Sequence, residues 1–406
     1  MISFEEARAK VIEILGARAS APESEPIEIG KDPASALGRV LAENISADRN
    51  YPPFNRSIRD GFAVRCADTV QPGARLRLIG ESRAGVAFNG VVGEGQCVRI
   101  LTGAPVPKGA NAVVMQEHTK EEGETIILEQ PTRAGQHYVL AGAEARVGEV
   151  VIPRGSRLGY AELAVAAEVG RATVDVGKRP RVAILSTGDE LVPLDQEPTP
   201  FQIRNTNNIS LAAQVALAGG GPVMAGNARD EIGELRKRIE RGLESDMLVI
   251  SGGVSVGKYD LVEQVLRDLG AEFFFNEVAI RPGKPAVFGW CKGKPVFGLP
   301  GNPVSAMVTF GLFAVPAIEI LSGYRPQPVP FFKAKLGHPV DEKARLALFL
   351  PARMSCPGPV VEVVLWEGSG DIGAVVHGNC FRVVPASQLH IDGCEWVDVL
   401  PRHELF

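Results

Sequence analysis

Met247-Leu-Val-Ile-Ser-Gly-Gly-Val-Ser-Val-Gly-Lys-Tyr-Asp260 joins four apolar residues to a glycine-rich turn, and the helical pattern of residues 261–269 follows at once. A short apolar run closed by glycines reads as a buried strand, and strand, turn and helix together make half of a βαβ unit. Working outward, Arg181-Val-Ala-Ile-Leu185 is a second strand, 209–217 and 231–243 are helices, and 272–278 and 295–297 are further strands. An apolar helix over 304–321 follows them. This alternation predicts a parallel sheet covered on both faces, the doubly wound α/β architecture, whose ligands sit at the carboxyl ends of the strands.

The flanking sequence has a different rhythm. Ser3 and Glu6 form a capping box for a helix that Gly16 should stop, and 19–27 has the composition of a linker. Between 51 and 158, short β-branched runs alternate with glycines (75–79, 96–100, 112–115, 125–128), the pattern of a β-rich domain. A helix over 160–169 and a short run over 173–179 lead into the α/β region. The proline string 324–330 marks its far boundary, and the tail returns to short β-branched runs. The expected organisation is an α/β multidomain chain with a central doubly wound domain flanked by β-rich ones. Its parts are 1–50 with 146–178, 51–145, 179–325 and 326–406.

Composition narrows the function. A net charge of −5 argues against a protein that coats nucleic acid by bulk charge. The six cysteines include no C-x-x-C pair and the six histidines no H-x-x-x-H pair, so buried free thiols in a reducing compartment are expected rather than a metal cage. Residues 1–10 carry two glutamates and no apolar run, unlike a secretory signal, which predicts a cytoplasmic protein. The helix 304–321, interrupted by Gly311, Pro316 and Glu319, is expected to fall short of a membrane span and to be a buried helix of the core.

Three strand-end loops hold the chemistry. Ser186, Thr187, Gly188, Asp189 and Glu190 bring two hydroxyls and two carboxylates to one strand end, suited to a hydrated divalent cation, to ligand hydroxyls or simply to a turn cap. Ser251 to Gly257 supplies glycines whose amides can converge on a phosphate ahead of a helix N-terminus. Gly252 to Lys258 fits G-x-x-x-x-G-K, yet Tyr259 stands where a P-loop needs Ser or Thr, which argues against a nucleotide hydrolase. Pro300, Gly301, Asn302, Pro303 and Ser305 form a stiff turn opening a helix, and Arg281 and Lys284 place two cations on a rigid turn. In the β-rich region Asp60 precedes a glycine at a strand mouth and Thr102 lies in a Gly/Pro turn.

In this order along the chain, PPFNRSIRDGFAV (52–64), RILTGAPVPKGANAVVMQE (99–117), STGDEL (186–191), SGGVSVGKYD (251–260), RPGKP (281–285) and GLPGNPVS (298–305) resemble the molybdopterin molybdotransferase family, MoeA and the E domain of gephyrin. The closing GCEWVDVLP (393–401) looks like that family's ending. The resemblance implies a MogA-like central domain and a reaction in which molybdate enters the dithiolene of adenylylated molybdopterin, AMP leaves and Mg²⁺ assists. It implies a homodimer in which the β-rich domain of one subunit lines the cleft of the other, fed by a molybdopterin adenylyltransferase, with no nucleic-acid or membrane partner. Catalytic roles would fall to Asp60, Thr102, Glu144, Glu190, Asp260 and Lys284, with Glu190 and Asp260 on the metal. Substrate contacts would come from Ser186, Thr187, Gly188, Asp189, Asn207, Ser251, Gly252, Gly253, Ser255, Gly257, Arg281, Pro300, Gly301, Asn302, Pro303 and Ser305. The chain departs from the family pattern at Asn205, where an aspartate is usual, at Glu144 in an aspartate's place, at Val139 in place of an arginine, and around 345–350, where Leu350 ends a run lacking a second arginine. The alternative that these departures raise is a divergent, non-catalytic paralogue that binds molybdopterin or acts as a scaffold.

Overall fold

The computed structural model describes residues 1–253, 261–341, 345–355, 358–386 and 390–402. Ser3 accepts a hydrogen bond from the Glu6 amide, and Glu6 accepts one from the Ser3 amide, the reciprocal cap that starts helix α1 (Phe4–Arg18). Gly16 does not stop it. Arg18 in the last turn pairs with Glu272 at 2.7 Å and lies over the Phe274 ring, contacts that offset the roughly 1 kcal/mol cost of an internal glycine. The expected linker 19–27 is also corrected in part, because Ser24–Ile27 is a strand paired antiparallel with Val174–Gly177. Pairing between segments so far apart leaves no local compositional trace.

The β-rich unit is a six-stranded sheet in the order Ala112–Met115, Gly61–Val64, Gln96–Ile100, Arg75–Ser82, Thr125–Leu128, Thr119–Glu122. Its core holds Phe62, Val64, Leu76, Val114 and Ile126, the inward halves of alternating strands.

In the α/β unit the elements are β1 (Arg181–Thr187), α2 (Asn207–Leu217), β2 (Gly221–Ala228), α3 (Ile232–Gly242), β3 (Met247–Ser251), α4 (Leu261–Asp268), β4 (Glu272–Phe275), β5 (Val287–Cys291), β6 (Lys294–Leu299) and the long helix α5 (Pro303–Leu321). The sheet order is β2-β1-β3-β6-β5-β4. The first four strands are parallel, whereas β5 runs antiparallel to both β6 and β4, so the expected all-parallel sheet is mixed. Strand β5, absent from the sequence reading, turns into β6 through Lys292 and Gly293, both at positive φ. That is the hairpin turn usually marked by Asn-Gly, here disguised by lysine. Strand faces alternate as the pleat requires. Val182 and Ile184 pack with α1, α2 and α5, and Ala183 and Leu185 with α3 and α4.

Helix α5 contains a π-helical turn, Phe310–Ala314, that relieves the backbone ahead of Pro316. With a mean hydropathy of 2.0 over its best window it is, by length and composition, apolar enough to cross a membrane, contrary to expectation. What marks it as a core helix is that 67% of that window is buried inside the protein.

In the C-terminal unit, Ala347–Ser355, Val360–Val363, Phe332–Leu336, Trp396–Pro401 and Cys380–Val384 pair in a closed ring, since the last also pairs with the first. The short strand Ile280–Arg281 of the α/β unit adds to it alongside Ala347 and Leu348.

Candidate active site

At the carboxyl end of β1, the Ser186 hydroxyl lies 2.7 Å from Asn208 Oδ1, 3.2 Å from Asn205 Oδ1 and 2.9 Å from the Ser251 hydroxyl. A hydroxyl has one proton, so it donates to an asparagine oxygen and can accept from Ser251. The Asn205 carboxamide oxygen also accepts the Asn208 amide at 3.1 Å, and Asn208 Nδ2 donates to the Gly226 carbonyl of β2 at 3.1 Å. Asn207 Nδ2 reaches the Gly301 carbonyl at 2.8 Å, and the Gly252 amide donates to Leu299 at 3.0 Å. These bonds lace the ends of β1, β2, β3 and β6 to the first turn of α2.

The start of the glycine turn is packed against β1. Gly252 has φ +88°, and a Cβ there would come within 2.6 Å of the Thr187 carbonyl; one on Gly253 would lie 2.8 Å from Thr187 Oγ1. Only glycine meets both demands. Ser255, Gly257 and Asp260 lie outside the described residues. Pro300 is buried, Asn302 occupies the N-cap of α5, Pro303 its first turn, and Ser305 is buried two residues further along. Among the described residues, three buried polar atoms in this cluster find no hydrogen-bond partner: Thr187 Oγ1, Asn207 Oδ1 and Asn227 Oδ1. A buried polar atom left unpaired costs about 1–3 kcal/mol, and three at one sheet edge are groups ready for a polar ligand.

The acidic turn Gly188–Leu191 projects from this edge with Asp189 and Glu190 exposed. The Asp230 amide donates to Asp189 Oδ1 at 3.3 Å, and burial, then the nearby Asp189 and Glu190 carboxylates, push the Asp230 carboxyl above its ordinary range. Among the described residues no three His, Cys, Asp or Glu side chains form a metal cage. Mg²⁺ does not require one, because it binds through one or two carboxylates, its waters and substrate phosphates. An exposed carboxylate pair in an anionic field fits that donor set.

The cationic loop packs on α5, one turn beyond Ser305. Gly283 packs against Thr309 of α5, where a Cβ would come within 2.5 Å of the threonine methyl. Lys284 pairs with Glu277 at 3.1 Å, and Arg281 is exposed at the strand shared with the C-terminal unit. In the β-rich unit, pairing of Gly61 with Ile100 brings Asp60 beside Thr102. Asp60 Oδ1 accepts from the Thr102 amide at 2.6 Å and its hydroxyl at 2.8 Å, which lowers the Asp60 pKa, the backbone bond contributing most. Glu144 pairs with Arg56 at 2.6 Å. These hydrogen bonds and ion pairs of Asp60, Thr102 and Glu144 stay inside the β-rich unit. Asn208, Asn227 and Asp230 escaped the sequence reading, and the one local hint was the Asn-x-Asn-Asn string at the start of α2.

The family pattern described as "MoeA N-terminal region (domain I and II)" matches residues 2–170, and that described as "Probable molybdopterin binding domain" matches 183–320. A "Molybdopterin molybdenumtransferase" of Nostoc sp. is 37% identical over 312 residues, 75% of this chain and 72% of the relative. The chain belongs to the molybdopterin molybdenumtransferase family. A family member from Staphylococcus aureus (strain Mu50) is 31% identical over 90% of this chain and 89% of its own. Two solved structures of the MoeA protein of Pyrococcus horikoshii superpose with TM-scores of 0.75 and 0.81, at 32% and 27% identity. Each covers 99% of this chain, and this chain covers 99% and 100% of theirs. The enzymes of this family are transferases of molybdenum cofactor biosynthesis.

Proposed function

We propose that this protein inserts molybdate into adenylylated molybdopterin with release of AMP. The observation that carries the reading is the Ser186–Asn208–Ser251 network, which gathers three loops, with their unpartnered Thr187 and Asn207 atoms, at one sheet edge. That edge would receive the phosphorylated pterin, with Ser255 and Gly257 completing the glycine turn. Arg281 and Lys284 would draw in the molybdate dianion, and Ser305, Pro300, Gly301, Asn302 and Pro303 would orient it. Glu190 with Asp260 would hold Mg²⁺, which when bound neutralises charge on phosphate oxygens.

Asp60, Thr102 and Glu144 would enter from the second subunit of a homodimer, and a molybdopterin adenylyltransferase would supply the substrate in the cytoplasm. With this goes the division of the chain at 1–50 with 146–178, 51–145, 179–325 and 326–406. Glu190→Gln or Asp260→Asn should lower molybdate-dependent AMP release about 10²–10³-fold, the usual cost of one electrostatic contact. Near-wild-type turnover by both would refute the reading.

A ligand-holding paralogue without turnover is the second reading, favoured by Asn205, whose carboxamide oxygen is engaged as a cap to Asn208 and Ser186. Binding of molybdopterin without AMP release in the same assay would select it.

A further inference from the structure

We infer that Asn227 is a positioning residue that clamps the acidic turn Gly188–Leu191, an inference that rests on the reading of Glu190 as a magnesium ligand. Strand β2 changes register against β1 at Gly226: Ile184 faces Met224, but Leu185 faces Gly226, and Ala225 is passed over. Gly226 takes φ +85° there. A bulge of this kind re-aims every side chain beyond it, because the faces of a strand alternate with a period of two. It sets Asn227 opposite Ser186, where its carboxamide reaches the carbonyls of Gly188 at 3.3 Å and Leu191 at 3.4 Å.

Both partners are carbonyl oxygens, which only accept, so the end of the carboxamide facing them is the nitrogen. The two bonded carbonyls begin and end the turn that carries Asp189 and Glu190. Among the described residues the turn is also held by the Leu191 amide to the Gly188 carbonyl, the Gly188 amide to the Ala228 carbonyl, the Ile203 amide to the Glu190 carbonyl, the Asp230 amide to Asp189 Oδ1 and the pairing of Leu191 with Ile203, but of these only the first two touch the Gly188 end. Asp189 and Glu190 on the turn repel each other and Asp230, which follows β2, and like charges gathered this way push the turn open unless its backbone is fixed. Asn227 supplies that restraint from the neighbouring strand.

The test uses the full-length protein with Asn227→Ala and Asn227→Asp. In the ligand-free protein, amide hydrogen exchange at Gly188 and Leu191, the two amides of the turn that donate, should quicken about tenfold in Asn227→Ala, the scale of one or two lost hydrogen bonds. The Mg²⁺ concentration for half-maximal AMP release should rise by about the same factor, with thermal midpoint and molybdopterin affinity unchanged. Asn227→Asp, nearly the same shape, should be worse than alanine, since it cannot donate and adds a fourth negative charge. Unchanged exchange in the turn, an aspartate variant equal to wild type, or a lowered thermal midpoint with an unchanged Mg²⁺ requirement would each overturn the inference. Glu190→Gln separates the two levels: if it leaves the Mg²⁺ requirement unchanged while Asn227→Ala still quickens exchange, the metal reading fails and the clamp stands.

Discussion

Single side chains here take their properties from a few named neighbours. Asp60 sits in solvent, yet two bonds from Thr102 stabilise its charged form, so its folded pKa lies below the unfolded one. The stabilisation is present above the ordinary carboxylate range and is lost as pH falls through the depressed value. Thr102→Ala removes the hydroxyl bond and keeps the backbone one. The Asp60 pKa, followed by NMR titration of its side chain, should rise part of the way toward normal. The thiols behave in the opposite sense: burial pushes Cys97 up to about 12 and Cys380 up to about 11, whereas Cys394 is exposed. An alkylating reagent at pH 8 should label Cys394 in the native protein and leave Cys97 and Cys380 untouched until denaturant is added, with mass spectrometry as the readout. Residue types at the strand ends were legible in the sequence, because hydroxyls, glycines and carboxylates interrupt the apolar run of a buried strand. Their bonds were not. Asn208 and Asn227 act on Ser186 and Gly188 across 22 and 39 positions, and no local pattern encodes such contacts.

Among the elements, those with a strong period were read correctly from sequence. Gln96–Ile100, Ala112–Met115 and Thr125–Leu128 lie where the alternation put them. Strand β5 was missed because its turn holds a lysine at positive φ, a conformation held by the neighbouring pairing of Cys291 with Lys294 rather than by residue preference. The glycine turn after β3 shows the reverse relation, with backbone and residue in agreement. Gly252→Ala would drive a methyl against the Thr187 carbonyl in an unfavourable backbone region, at a cost of about 1–3 kcal/mol. Urea unfolding should register that loss, and molybdopterin affinity should fall with it, because Thr187 and the turn cannot both keep their places. A variant with wild-type stability and affinity would show that the packing at Thr187 is looser than its contacts indicate.

At the scale of the whole molecule, Asp60 and Thr102 hydrogen-bond each other and the β-rich unit, not the Ser186 network of the same chain. If two chains complete each site, as proposed above, Asp60→Asn and Glu190→Gln should complement. Equal mixing with subunit exchange restores one intact site in each mixed dimer, about a quarter of the wild-type number. AMP release from the mixture should recover to that level, and failure to recover would place both residues in one chain's site. The domain divisions read from sequence follow changes of rhythm, but rhythm does not show how the units are stitched together. Phe4, Ala7, Val11 and Leu15 of α1 lie in the core of the α/β unit, and Ile280–Arg281 lends its backbone to the C-terminal sheet. This protein is therefore not a string of beads that can be cut apart. A fragment expressed from 179 to 325 would lose four buried apolar side chains and leave Ile280–Arg281 as a raw strand edge, so it should aggregate where the intact chain stays dispersed.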